Sequence, residues 1–245
     1  INAWNYYFKD INHYKLKDVY KSKNVIFSSD LIDRKYYYHL EEINQNNKIK
    51  KEFKKIEKKY IKINLKILDQ ANSFYSKYKN YKILGIHLRG TSYKNAPKHP
   101  FPIPLELAIE ICNKLLKKKK FEKIFLITEE KKYLEKFKMN FGNKLIYFNS
   151  FRSNKNDAFE VYPRKFHRYK LGLEILTEGL ILSKCDGIIS NITNVSSAAI
   201  FLSNKKNKIF KIFLGYNSPN KFIASFLWYL KKSLPRNFFG FKVKI

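Results

Sequence analysis

A chain of 245 residues, 44% of them hydrophobic, can build one large domain or two small ones and is too apolar to be intrinsically disordered. Fifty basic residues against 20 acidic ones give a formal charge of +30, yet only six are arginine and the lysines run along the whole sequence; compositional drift toward AT-rich codons explains this better than a nucleic-acid-binding face. No apolar run approaches the roughly 20 residues of a bilayer span, and Cys112 and Cys185 sit in apolar patterns with no Cys/His cluster at metal-ligand spacing, which leaves no room for a disulfide framework or a structural zinc.

Residues 1–81 open with an aromatic cluster of Trp4, Tyr6, Tyr7 and Phe8. The run 24–28 (NVIFS) reads as a strand, and 47–79 carries Ile, Phe, Leu and Tyr at the spacing of one long amphipathic helix. From Lys82 the pattern changes. Short apolar runs at 82–88, 123–128, 144–148, 186–190 and 208–213 alternate with helical periodicity near 104–119, 130–141, 168–184, 195–203 and 219–233. Five short apolar strands separated by helices predict an α/β, Rossmann-type parallel sheet covered by helices on both faces. The expected division is therefore an N-terminal region over 1–81 and a sheet domain over 82–245.

Pro100, Pro102 and Pro104 hold the chain out of regular structure until Leu105, so a long loop follows the first strand. Loops of that length tend to carry function. In a doubly wound sheet ligands lie beyond the carboxyl ends of the strands. The polar segments there are 87–99, 149–168 and 190–197.

Three groups of residues in or beside those segments can do chemistry. In the first, His87 and Arg89 alternate along the strand and share a face, and Gly90 and Thr91 follow in a tight turn. An arginine leaving a buried strand needs an anion, either a phosphate or a structural carboxylate. Its guanidinium can grip a phosphate through two hydrogen bonds where lysine offers a point charge. In the second, Asn194, Ser196 and Ser197 sit in the first turn of a helix, where they either cap it or complete an anion site. In the third, Glu178 lies within an apolar helix, where a carboxylate needs donors such as the two N–H groups on one edge of guanine. Glu174 competes for that role, and either carboxylate could simply lie at the surface. Arg152, Arg164, Arg168 and Tyr169 flank an aromatic loop that reads as a flap or as surface packing.

Taken in order, these elements resemble the superfamily of the alpha-1,6-fucosyltransferases, nodulation fucosyltransferases and protein O-fucosyltransferases. The resemblance covers about residues 82–205. It rests on His87-Leu88-Arg89-Gly90-Thr91-Ser92 against H-x-R-[RG]-T-D, on the pair His99-Pro100, on Glu178, Ser183 and Asp186, and on Asn194-Val195-Ser196-Ser197. It implies a GT-B fold in which this half holds a GDP-sugar, fucose by default, and passes the sugar to a glycan acceptor with inversion and without a metal or other cofactor. Arg89 would then bind the β-phosphate and stabilise departing GDP. His87, with Gly90 and Thr91 beside it, would touch the nucleotide, Glu178 would accept from guanine, and Asn194, Ser196 and Ser197 would meet phosphate at the helix start. The sequence departs from the pattern at Ser92, at Asn194 and at Glu178, and its loop from Tyr93 to Lys98 has no carboxylate to serve as a base.

The expectation is a cytoplasmic enzyme of capsule or lipopolysaccharide assembly, working at the inner face of an anionic membrane without nucleic acid. The first 81 residues are short for an acceptor domain, and the chain opens on Ile1, so a truncated or reduced N-terminal half is expected. The competing readings are a basic nucleic-acid-binding protein, with steep salt dependence, and a non-catalytic sugar-nucleotide-binding relative.

Overall fold

The computed structural model describes residues 3–11, 14–23, 46–119, 121–155, 161–191 and 193–243. The strand expected at 24–28 and Arg34 lie outside the described residues. The chain divides into two compact units, residues 1–65 and 66–245.

In the first unit a 3-10 turn (Ala3–Tyr6) stacks Trp4 on Phe8, and two helices follow, α1 (Leu16–Lys21) and α2 (Asn47–Tyr60). Asn46 caps α2, its side chain accepting from the amides of Lys48 and Ile49. The single long helix expected over 47–79 does not form. Residues 62–64 are drawn out instead to pair with 7–9: Lys9 N–H donates to the Lys62 carbonyl at 2.7 Å and Asn64 N–H to that of Tyr7 at 2.9 Å. The Asn64 amide also donates to the carbonyls of Asn5 and Tyr6, and Ile63 is buried. Those pairings outweigh the helical periodicity of the flanks, and the helix restarts as α3 (Leu65–Ser76).

The second unit holds a five-stranded parallel sheet: β1 (Ile83–Leu88), β2 (Lys123–Thr128), β3 (Leu145–Ile146), β4 (Gly187–Ser190) and β5 (Lys208–Lys211). Strand order is β3-β2-β1-β4-β5. The connecting helices are α4 (Leu105–Lys119), α5 (Lys131–Phe141), α6 (His167–Ser183), α7 (Asn194–Leu202) and α8 (Lys221–Ser233). The α/β reading of the sequence holds element by element.

Alternation along the strands sorts the helices into two layers. Leu84, Ile86 and Leu88 of β1, with Ile124 and Leu126 of β2, form one buried cluster with Ile111 and Leu115 of α4, Phe137 of α5 and Trp228 of α8. On the opposite face Phe74 of α3 meets Phe125 of β2, and α6 closes on β1 at Gly85. A Cβ at Gly85 would lie 2.3 Å from the Leu182 Cδ1 and 3.1 Å from the Cys185 Sγ, so glycine is what lets α6 approach the strand. β3 is shorter than its apolar run because the next carbonyls are taken by a side chain: the Arg152 guanidinium donates to the carbonyls of Phe148 and Ser150.

The chain steps outward from β1 to β2 and β3, then returns to β4 on the other side of β1. That reversal puts the switch point of the sheet beside the carboxyl end of β1, where His87 and Arg89 stand.

Candidate functional site

A cavity of about 350 Å³ lies between the carboxyl ends of β1 and β2, the segment after β3 and the first half of α6. His87 and Arg89 reach it from β1, Thr128 and Glu129 from β2, Ser150 and Phe151 from the post-β3 segment, and Arg168, Glu174 and Glu178 from α6. Of the eight residues singled out in the sequence, His87, Arg89 and Glu178 line it. Two of the three groups read from the sequence, far apart along the chain, are thus brought together, and the third, at the start of α7, is not.

His87 is 2% exposed, and its Nδ1 lies 2.8 Å from the Thr193 hydroxyl. Burial, reinforced by the charge of Arg89, lowers its pKa to about 3. The imidazole is therefore neutral at physiological pH, offering a hydrogen bond rather than a charge.

Arg89 has the carboxylate partner that one reading of a strand-end arginine requires, and it still faces the cavity. It lines the cavity, and its Nε lies 3.6 Å from a Glu129 carboxylate oxygen while its guanidinium stacks on Tyr93 at 4.9 Å. Glu129 also accepts from the Gly90 N–H at 2.9 Å, so one carboxylate fixes both arginine and turn. Gly90 is held close on its other side: a Cβ there would meet the Glu130 carboxylate at 1.8 Å. Glu130 in turn pairs with Lys94 at 2.5 Å, tying down the 3-10 turn Thr91–Asn95. The pair Glu129-Glu130 was missed in the sequence, although it follows β2 at the same carboxyl edge as the other polar segments.

Glu178 is 3% exposed and accepts from the Arg152 Nη2 at 3.2 Å. Burial pushes its carboxyl up to about 8, against the pull of Arg152. The Arg152 guanidinium is itself lowered by burial. Arg152 thus belongs to the site and not to a surface flap. Its position is set by the backbone: Ser153 pairs with the β2–α5 connection, its N–H donating to the Glu129 carbonyl and its carbonyl accepting from the Lys131 N–H.

Glu174, the competitor of Glu178, is committed elsewhere. Arg164 grips it through two bonds of 2.6 and 2.7 Å, and the Phe151 N–H donates to it at 3.2 Å. This bidentate pair ties the loop before α6 to the wall of the cavity. Arg168 lies exposed at the mouth, stacked over Tyr162 at 5.3 Å.

The start of α7 connects to the cavity through Thr193. That residue is the N-cap, its hydroxyl accepting from the Ser196 N–H. Ser196 turns inward: it is 0% exposed, and its hydroxyl donates to the Thr193 carbonyl and lies 3.2 Å from that of Ser190. The structure therefore does not bring Ser196 to the cavity but makes it part of the cap. Asn194 and Ser197 sit in the first turn outside the lining. His99 packs its ring on Tyr93 at 5.0 Å. No group of three or more His, Cys, Asp or Glu among the described residues could hold a metal ion.

No protein-family model matches the sequence, and no curated protein matches it. Solved structures do. A crystal structure of NodZ alpha-1,6-fucosyltransferase soaked with GDP-fucose is 18% identical over 58% of this chain and 44% of its own, with a TM-score of 0.39. Fucosyltransferase NodZ from Bradyrhizobium is 19% identical over 58% and 43%, also at 0.39. POFUT1 in complex with GDP is 11% identical over 68% and 52%, at 0.45. The chain spans about half the length of these proteins or less.

Proposed function

We propose that the chain is the nucleotide-sugar-binding part of a glycosyltransferase that takes a GDP-sugar, fucose or a relative of it, and passes the sugar to a glycan acceptor with inversion and without a metal. One observation carries the reading. A single cavity at the switch point of the sheet sets a cation (Arg89) and a neutral hydrogen-bonding imidazole (His87) at the end of β1 against a buried carboxyl (Glu178) on α6.

That set matches a nucleoside diphosphate with a two-donor base. The N–H edge of guanine meets Glu178, with Arg152 behind the carboxylate to balance its charge. The pyrophosphate meets Arg89, held in place by Glu129. As the sugar leaves, Arg89 offsets the charge that develops on GDP, the task a cation performs in metal-dependent transferases. Gly90 and Thr91 shape the turn beside it. Asn194 and Ser197 offer polar groups at the mouth of α7, and Ser196 acts through Thr193, which orients His87.

Release of GDP from GDP-fucose, GDP-mannose and UDP-glucose, measured with the metal chelated, tests the reading. Turnover or tight binding of the GDP-sugars alone is expected. Equal handling of UDP-glucose, or no interaction with any of the three, would contradict it. Tight binding without turnover, with and without candidate acceptors, would instead favour the non-catalytic relative that the missing loop carboxylate keeps open.

A further inference from the structure

From Gly187 to Ile245 the chain contains nine lysines, one arginine and not a single aspartate or glutamate. The one long helix of this stretch that is exposed along its length is α8, and it is apolar on two sides. Ala224 and Trp228 are buried, with the Trp228 indole N–H donating to the Pro102 carbonyl at 2.9 Å. Phe222, Ile223, Phe226, Tyr229 and Leu230 are exposed. At 100° per residue these five fall on one arc of about 120°, away from the buried pair. Phe222 is 77% exposed and meets Phe226 edge-on at 5.7 Å. Beyond the helix Phe238 is 72% exposed.

A surface helix normally turns its apolar stripe to the core and polar residues to solvent, whereas α8 presents a second apolar stripe outward. Here the exposed side begins beside exposed Lys221 at the first turn of the helix. The carboxylates near the end of the helix are already matched: Glu106 pairs with Lys232 and Glu110 with Arg236. The patch thus combines insertable aromatic and aliphatic side chains with a lysine-rich stretch of chain that carries no carboxylate of its own. Nucleic acid would use the charge, but it gains nothing from exposed Ile223 and Leu230 and usually recruits arginine. A second copy of the chain would bring +30 against +30. An anionic lipid surface uses both features at once: aromatic rings settle at the headgroup level, aliphatic groups enter the acyl boundary, and lysines meet the lipid charge. No helix among the described residues is long and apolar enough to cross a membrane, so the contact is peripheral.

We propose that the exposed face of α8 is a docking surface for anionic membranes. The inference does not rest on the nucleotide reading, but it has a consequence for it. α8 is tied to the loop after β1 through Asn217, whose side-chain amide donates to the carbonyls of both Lys94 and Ala224. Docking through α8 would therefore hold the Arg89 loop at a fixed height above the bilayer.

Vesicle co-sedimentation of the full chain tests this, comparing phosphatidylcholine alone with a mixture containing about one third phosphatidylglycerol. Binding to the anionic vesicles alone is expected, reduced at least tenfold in Phe222→Ser/Phe226→Ser/Leu230→Ser with thermal stability and GDP affinity unchanged. Phe222→Ser alone, at the most exposed position of the helix, should show a smaller loss and serves if the triple variant does not fold. Three outcomes would overturn the proposal: no binding to anionic vesicles, binding that the folded variants leave unchanged, or a dimer in light scattering that the variants dissolve. Displacement of the bound protein by an oligonucleotide without any effect of the α8 substitutions would overturn it as well, in favour of nucleic acid. GDP affinity is read separately, so failure here and failure of the nucleotide reading are distinguishable.

Discussion

Glu178 gives the sharpest quantitative consequence of the site. Burial raises its carboxyl to about 8 in the protein without ligand, while guanine would be received by the ionised form. Binding then has to remove a proton. With a value of about 8, roughly one tenth of the molecules carry the carboxylate at pH 7 and roughly nine tenths at pH 9, so GDP affinity should rise about tenfold across that window, or about 1.4 kcal/mol. The nucleotide's own last phosphate ionisation lies near pH 6 and is complete before the window opens. Calorimetric titration at pH 7, 8 and 9, repeated in buffers of different ionisation enthalpy, measures both the slope and the proton released. In Glu178→Gln the slope should vanish, and affinity at pH 9 should fall by about 1.5–3 kcal/mol, since the amide turns a donor toward a donor. A wild-type affinity that is flat from pH 7 to 9, with no proton released, would refute the assignment of Glu178 to the base. The sign for folding is opposite. The folded chain holds a proton between the ordinary carboxyl value of 4.5 and about 8, so the contribution of Glu178 to stability is present below that window and declines as pH rises through it.

Arg152→Ala should push Glu178 further toward its neutral form and cost about 1–3 kcal/mol in denaturant unfolding at pH 8, because Glu178 and the carbonyls of Phe148 and Ser150 lose their donor. The double variant with Glu178→Gln should recover part of that loss, and full additivity would contradict the pairing. Gly85→Ala forces a methyl group to 2.3 Å from Leu182 and should destabilise by about 1–3 kcal/mol while distorting the cavity wall; an unchanged melting temperature would show that α6 does not depend on this close approach. Thr193→Val keeps the shape but removes the cap of α7 and the hydroxyl beside His87. A loss of about 1 kcal/mol in stability is expected, together with weaker nucleotide binding, and a variant indistinguishable from wild type in both would remove Thr193 from the site.

The sheet was legible because each strand is an apolar run flanked by helical periodicity, and burial on both faces leaves little ambiguity in such runs. Local patterns failed where long-range pairing decided. The break after Tyr60 depends on residues 62–64 meeting 7–9, and nothing in the helical spacing of 47–79 announces that partner. The site was half legible for the same reason. His87, Arg89 and Glu178 stand out as polar residues in apolar surroundings, but the groups that fix them do not. Glu129 reaches Arg89 from the neighbouring strand 40 residues on, and Arg152 reaches Glu178 from a loop that looks like surface. Ser196 shows why the first turn of a helix is ambiguous in sequence: of the two readings, cap or ligand group, its hydroxyl is engaged in the cap.

The central claim is that this cavity binds a guanosine diphosphate through Arg89 without a metal, and the direct measurement is calorimetric titration of the folded chain with GDP, with and without EDTA, on wild type and Arg89→Ala. Micromolar binding that EDTA leaves unchanged and that weakens by about 2–4 kcal/mol in the variant is the expected result. A folded wild type that takes up no GDP, or a variant that binds as well as wild type, would contradict the account.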